Sequence, residues 1–183
     1  MKKVMAVLLA LLMLVAWSSP ADAAQLGQIN LKNKTTIKAM KNGTMTFKGV
    51  KLGNTIKTAK KKWGTDYSGV RSQYQYYDYS LNFDMETDED YDTVEAYFTG
   101  HRGNKTADYK LKYINYYGTS TMLKYKDMTK YWGKPDFKYV SASEEVYFFG
   151  QTGLVYDNDN GSFVGYKYVD KASVKAIKKA FSK

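Results

Sequence analysis

Acidic residues occur at every second position from Asp84 to Asp92, a pattern that could bind calcium. With Glu95, they match the ligand positions of a twelve-residue EF-hand loop. The full set is Asp84, Glu86, Asp88, Asp90, Asp92 and Glu95. However, the sixth position of the loop is Glu89, where the sharp turn requires glycine, and the flanking patterns indicate strands rather than helices. A solvated hairpin end explains the run better, and we predict neither a metal ion nor another cofactor.

The chain offers few groups for catalysis. It contains no cysteine, which excludes disulfides, thiol nucleophiles and thiolate metal sites. His101 is its single histidine, so a zinc site or a Ser-His-Asp triad is disfavoured and an exposed loop histidine is expected. Two carboxylates could cleave a glycan, and the candidates are Asp66, Asp78, Asp136 and Glu145. Because nothing in their spacing selects a pair, we predict a non-enzymatic protein and keep an envelope hydrolase as the alternative.

Tyrosine is the residue in excess, with 18 copies in 183 residues. Some tyrosines fall on the apolar phase of predicted strands and belong to a core, whereas others fall on the opposite, polar phase. The candidate binding residues on or beside that polar phase are Tyr74, Tyr76, Asp78, Tyr147 and Phe149. Rigid rings on a polar sheet face supply contact area at low entropic cost. The simpler alternative is an aromatic-rich strand surface without a ligand.

Two stretches of the chain, 49–64 and 118–133, align without a gap at an offset of 69 residues. The same offset places Tyr79 on Phe148, Asp88 on Asp157, Asp90 on Asp159 and Tyr97 on Tyr166. Self-similarity at a fixed period is the mark of a repeated structural unit. The sequence therefore predicts one unit duplicated in tandem.

Each stretch carries apolar residues at helical spacing and ends in Trp-Gly. The stripes are Leu52, Ile56, Ala59 and Trp63, then Thr121, Tyr125, Met128 and Trp132. Spacings of three and four residues favour an amphipathic helix with one buried stripe, so Trp63 and Trp132 are predicted to lie in the core. Gly64 and Gly133 can end the helices, since glycine tolerates the left-handed conformation found there. Pro135 prevents the second helix from continuing.

After each helix the apolar period changes to two, which predicts antiparallel strands, including one near 94–98 and one near 163–169. The predicted fold is α+β, with helix-plus-meander units, helices on one sheet face and the other face partly open. The organisation is a signal peptide at 1–23, an N-terminal segment with a short helix at 24–46, a first unit at 47–99, a linker at 100–110, a second unit at 111–170 and a C-terminal basic helix at 171–183.

The N-terminus indicates export. A basic start, a short apolar run and small residues at Ala21 and Ala23 are typical of a secretory signal peptide. The formal net charge is +10, and lysine supplies nearly all of the positive charge. Recognition of nucleic acid favours arginine, so we expect no nucleic-acid partner but loose attraction to an anionic cell wall. We also predict a monomer with no membrane segment after signal cleavage.

The run Trp132-Gly133-Lys134-Pro135-Asp136 resembles a motif of secreted Gram-positive proteins of unknown function, carried by spore-formers. The first copy keeps Trp63 and Gly64 but lacks the proline. More distantly, the helix-then-meander unit is similar to the β-lactamase inhibitor protein and to small outer-membrane assembly lipoproteins. That inhibitor normally contains disulfides, which this chain lacks. The resemblance implies a fold and assigns no chemistry, since one fold hosts many functions.

These observations predict a secreted binding or inhibitor-type protein. An aromatic-polar sheet face would bind an extracellular protein or an anionic cell-envelope polymer, and the lysine-rich helices would favour anionic surroundings. A structural or stress-induced surface protein without a discrete ligand is a further alternative.

Overall fold

The structure of the chain is a computed structural model. It describes residues 29–63, 71–74, 78–81, 93–101, 103–118 and 122–181; at 71–74 and 78–81 only the backbone is described. The predicted signal peptide, Gly64, Tyr76 and the acidic run from Asp84 to Asp92 lie outside these residues. None of the helices in the described ranges is long and apolar enough to cross a membrane.

The described residues contain four α-helices and one turn of 3-10 helix. They are α1 Lys34–Lys41, α2 Ile56–Trp63, α3 Tyr125–Trp132 and α4 Lys171–Phe181, with the 3-10 turn at Thr106–Asp108. The Asn33 side chain caps α1 by accepting hydrogen bonds from the backbone N–H groups of Thr35 and Thr36. Thr55 caps α2 through its hydroxyl oxygen, which accepts from the N–H of Thr58 at 3.2 Å.

The eight strands of the described ranges form one antiparallel sheet in the order β1-β2-β3-β4-β8-β7-β6-β5. They are β1 Arg71–Tyr74, β2 Asp78–Leu81, β3 Thr93–Thr99, β4 Lys110–Tyr117, β5 Phe137–Val140, β6 Glu144–Phe149, β7 Thr152–Asp157 and β8 Phe163–Val169. Two four-stranded meanders therefore meet at the pair β4–β8, whose register runs from Tyr113↔Val169 to Tyr117↔Gly165. The predicted α+β class with an antiparallel sheet is confirmed.

The helices do not all lie on one face of the sheet. On the face that we call the core face, Tyr147 and Phe149 pack in one cluster with apolar residues of α1, α2 and α3. On the opposite face, the α4 face, Val146 and Phe148 pack against Val174 and Ile177 of α4, among other residues. The prediction that helices share one face is therefore wrong for α4. The reason lies in β6: apolar side chains point to both faces of this strand, so both faces must be covered.

The Trp-Gly-Lys-Pro-Asp run joins three parts of the fold. The buried Trp132 donates its indole N–H to the Leu31 carbonyl at 2.9 Å, before α1. Gly133, at φ +77°, ends α3 and its N–H bonds the Thr129 carbonyl. The Asp136 carboxylate accepts the N–H of Gly150 at 2.6 Å, in the turn between β6 and β7. The motif thus has a structural role in holding this corner together.

Gly150→Ala and Gly161→Ala form a matched pair that tests how tightly this corner is packed. Both glycines adopt the left-handed region, at φ +61° and +67°. A Cβ at Gly150 would lie 2.2 Å from the Lys41 carbonyl oxygen, whereas one at Gly161 would meet no atom within 4 Å. We expect Gly161→Ala to lower the free energy of unfolding by about 1–2 kcal/mol through backbone strain alone. Gly150→Ala should cost clearly more in urea denaturation, and equal losses would contradict this packing.

Candidate binding surface

Polar and aromatic side chains gather on the α4 face at the centre of the sheet, beside the apolar patch that α4 contacts. We call them the tyrosine cluster: Glu95 and Tyr97 on β3, Tyr113, Asn115 and Tyr117 on β4, and Lys167 on β8. Strand register places them together. Glu95, Asn115 and Lys167 form one cross-strand row, since Glu95 pairs with Asn115 and Asn115 with Lys167. The pair Tyr97↔Tyr113 and the residue Tyr117 flank that row on its two sides, because alternate residues of a strand share a face.

A carboxylate organises the β3 side of the cluster. The Tyr97 and Tyr113 rings stack with centroids 4.1 Å apart and planes 20° from parallel. The Tyr97 hydroxyl donates to Glu95 Oε2 at 2.9 Å, and Asn115 Nδ2 donates to the same oxygen at 3.4 Å. Burial, assisted by this hydrogen bond, raises the pKa of Tyr97, so the phenol stays protonated. Two neutral donors therefore fix the Glu95 carboxylate against the stacked rings.

An ion pair lies on the β8 side. Lys167 Nζ is 2.7 Å from Glu144 Oε2, and the two side chains are only 19% and 22% exposed. Burial favours a lower pKa for Lys167, but its hydrogen bond with Glu144 and neighbouring negative potential outweigh burial, and the net shift is upward. Burial also raises the pKa of Tyr117, with Lys167 opposing this and Glu144 and Glu95 adding to it. The Tyr117 hydroxyl therefore lies in the field of these three charges.

Asn115 is the polar residue at the centre of the row. It is 8% exposed, and its Oδ1 accepts no hydrogen bond from the part of the chain that the structure describes. An acceptor buried without a donor typically costs about 1–3 kcal/mol. Unsatisfied buried groups of this kind are rare in native structures, and a functional role is one of the explanations for them.

The structure separates the residues that the sequence analysis grouped as a binding face. Tyr74 and Asp78 pair across β1 and β2, and Ser80 of β2 pairs with Tyr97, so their backbone lies at the β3 side of the tyrosine cluster. Their side chains and all of Tyr76 are outside the described residues. For Tyr74, Tyr76 and Asp78 the expectation stays a prediction.

Tyr147 and Phe149 do not lie on an open sheet face. Both are buried on the core face, where Tyr147 Oη is 2.8 Å from the hydroxyl of Tyr125 on α3. The phase assignment was wrong because both phases of β6 are aromatic or aliphatic, and alternation alone cannot rank two apolar faces. The helices, not the pattern, decide which phase faces which layer.

The calcium candidates are only partly within the described ranges. Glu95 accepts hydrogen bonds from Tyr97 and Asn115, and the other five positions lie outside the described ranges. In the aligned turn, Asp157 Oδ1 accepts the N–H groups of Asp159 and Asn160 at 2.9 and 3.0 Å, so that turn is closed by its own side chain. Within the described residues, no group of three His, Cys, Asp or Glu side chains is placed to hold a metal ion.

The candidate hydrolytic carboxylates are also engaged where the structure describes them. Asp136 accepts the Gly150 N–H, and Glu145 lies 2.6 Å from Lys138 Nζ. Asp66 and the Asp78 side chain are outside the described residues. The single histidine, His101, is exposed in a loop. These arrangements are those of structural contacts rather than of an acid–base pair.

The cluster residues on β4 were missed as a site, although a signal for them exists. From Lys112 to Tyr117 the sequence alternates between two phases, Ile114 and Tyr116 on one and Tyr113, Asn115 and Tyr117 on the other. That alternation predicts a strand, but it does not say which strands lie beside it.

The comparisons with known proteins give no further assignment. No protein-family model, no curated protein and no solved structure matches the chain. The resemblance to secreted Gram-positive proteins therefore stays a prediction, and function is argued from the site itself.

Alkaline titration tests the packing of the tyrosines. Burial raises the pKa of Tyr97 and Tyr156, and it raises the pKa of Tyr168 to about 12 despite an opposing hydrogen bond with Met45. Because the folded state favours the neutral phenols, their contribution to stability is complete below pH ~10 and declines as the pH rises through the native pKa values. We expect part of the phenolate absorbance to appear only as far-UV circular dichroism is lost. If every tyrosine titrated near pH 10 while the chain remained folded, the predicted burial of these phenols would be wrong.

Proposed function

We propose that the chain is an exported, non-catalytic binding protein that uses the tyrosine cluster to contact an extracellular protein or an anionic cell-envelope polymer. One observation carries the proposal: half-buried rings and hydrogen-bonded polar groups lie together on the three central strands β3, β4 and β8. Interfaces use this composition, because aromatic side chains contribute large contact areas and few rotatable bonds.

The cluster is already ordered, which favours recognition. The stack of Tyr97 on Tyr113 and the bond from Tyr97 to Glu95 fix two rings and a carboxylate in one arrangement. The ion pair from Lys167 to Glu144 fixes the other end. A partner therefore loses little free energy to ordering these groups when it binds.

The lysine-rich segments of the described helices lie outside the tyrosine cluster. Lysines are grouped on α2 and α4: Lys57, Lys60, Lys61 and Lys62, then Lys171, Lys175, Lys178 and Lys179. Within the cluster and its ion pair, Glu95 and Glu144 outnumber Lys167. We infer that the helices supply general attraction to an anionic wall, whereas the cluster supplies selective contact, for which a protein partner is the first candidate.

We propose that the fold is a tandem duplication, and two features support this; the relation to the inhibitor-type fold stays a prediction. Helices α2 and α3 have equal lengths and lie 69 residues apart, as do the two tryptophans that end them. Trp63 donates its indole N–H to the Phe47 carbonyl at 2.9 Å, as Trp132 does to Leu31.

The two units differ at β4. This strand has no strand counterpart at the offset of 69 residues, because the segment 41–48 is irregular apart from the end of α1 and a bridge at Phe47.

A comparison of the Tyr117→Ala variant with the Tyr125→Ala variant tests the binding surface. Tyr117 belongs to the cluster, whereas Tyr125 is 49% exposed and lies on the core-face side. The measurement is how much mature protein stays bound, at high salt, to a culture-supernatant protein or a wall fraction. We expect Tyr117→Ala to weaken this binding about tenfold or more, as for an interface anchor. Tyr125→Ala should retain it, and circular dichroism should show both variants folded.

Other outcomes would replace the proposal. Retention that disappears entirely at high salt would assign attachment to the lysines. Release of dye-labelled wall fragments would favour the hydrolase. Equal retention of both variants would remove the cluster from the binding site.

A further inference from the structure

We propose that the tyrosine cluster is a receptor for a cationic side chain, an arginine or lysine presented by a protein partner, with Glu95 as its counter-ion. This inference rests on the proposed function and names the chemistry of its ligand.

Within the described residues, Glu95 differs from the neighbouring carboxylates because no lysine or arginine pairs with it. Three other carboxylates near the strands pair with lysines, as Glu144–Lys167, Glu145–Lys138 and Asp170–Lys112 at 2.6–2.9 Å. Glu95 forms no ion pair within the described ranges, and its two hydrogen bonds come from neutral donors to the single oxygen Oε2. A half-buried carboxylate without a paired cation is costly, so a cation supplied by a ligand would stabilise it.

The surroundings of Glu95 suit a cation rather than an anion. The stacked rings of Tyr97 and Tyr113 lie on one side of its row, and Tyr117 lies on the other. The faces of aromatic rings attract ammonium and guanidinium groups, and they do so more strongly when the site is partly desolvated. An anionic ligand would instead face Glu95, and the nearby lysine Lys167 is already paired with Glu144.

Asn115 provides an independent observation. The residue is more than nine-tenths buried, its Nδ2 donates to Glu95, and its Oδ1 has no donor within the described residues. As far as the described residues go, the amide therefore has an unused acceptor in the row that carries the carboxylate. A guanidinium has several N–H donors, so it can donate to Glu95 and still supply other acceptors in the row.

Titration with N-acetyl-arginine amide, followed by nuclear magnetic resonance, tests the inference directly. The neutral isostere N-acetyl-citrulline amide is the matched probe, and a chitin oligosaccharide represents a carbohydrate ligand. We expect saturable shifts of the Asn115 side-chain amide with the arginine probe, with a dissociation constant on the order of millimolar. Citrulline and the oligosaccharide should give no saturable shift at the same concentrations.

Glu95→Gln is the decisive variant, with Glu145→Gln as its control. Glutamine keeps the size and an acceptor for Tyr97, whereas the Glu145 variant removes a carboxylate that already pairs with Lys138. Glu95→Gln should weaken binding of the arginine probe about tenfold, as expected for loss of a charge-assisted hydrogen bond. Glu145→Gln should leave it unchanged, and thermal melts should show both variants folded.

The results separate this inference from the proposed function. Equal shifts with arginine and citrulline, an unchanged Glu95→Gln variant, or saturation by the oligosaccharide would each overturn the cation receptor. If any of these occurred while Tyr117→Ala still abolished retention of a partner, the binding surface would stand and only its ligand chemistry would be wrong. Failure of both experiments would remove the function from this face.

Discussion

The pairing of β4 with β8 is the contact on which the rest of the sheet depends. It joins two meanders whose strands are otherwise local neighbours in sequence, through five residue pairs from Tyr113↔Val169 to Tyr117↔Gly165. The approach at its end is close, because a Cβ on Gly165 would lie 1.9 Å from the Tyr116 carbonyl oxygen. Glycine therefore allows the two backbones to meet there. The same pair brings Asn115 beside Lys167, so the candidate site exists only because the meanders are joined in this register.

The N-terminal part of the described chain is tied to the second half of the chain, and its apolar residues share one core cluster with those of both meanders. Leu31 accepts the indole N–H of Trp132, the Lys41 carbonyl accepts the N–H of Gln151 at 3.0 Å, and the N–H of Met45 donates to the Tyr168 hydroxyl. These contacts cross more than a hundred residues of sequence in three places. Closing loops of this length costs more entropy than forming local contacts does. The two halves consequently share one core rather than forming separate ones.

The electrostatics of the sheet divide into structural and unassigned groups. The pairs that Lys112, Lys138 and Lys167 form with carboxylates are short, and each links different elements or neighbouring strands. Exposed pairs of this kind add little stability, whereas the half-buried pair of Lys167 and Glu144 stabilises a defined geometry because neither charge can be removed alone without cost. Glu95 stands apart, held by a phenol and an amide. That difference in partners is the reason that we propose Glu95, and not the paired carboxylates, as a binding position.

The sequence alone determined the local structure. Helical spacing located α2 and α3, and Gly133 marked the end of α3. Period-two alternation located β3 and β8, and Trp132 was assigned to the core from its stripe. These are short-range patterns, fixed by backbone geometry and by which face of an element is apolar. The tertiary structure decided what those patterns leave open. Tyr147 and Phe149 lie on the core face, contrary to the sequence pattern, because β6 is apolar on both sides and α4 covers the other side. Glu95, Asn115 and Lys167 became neighbours because strand order and register, set by packing between distant segments, placed them in one row.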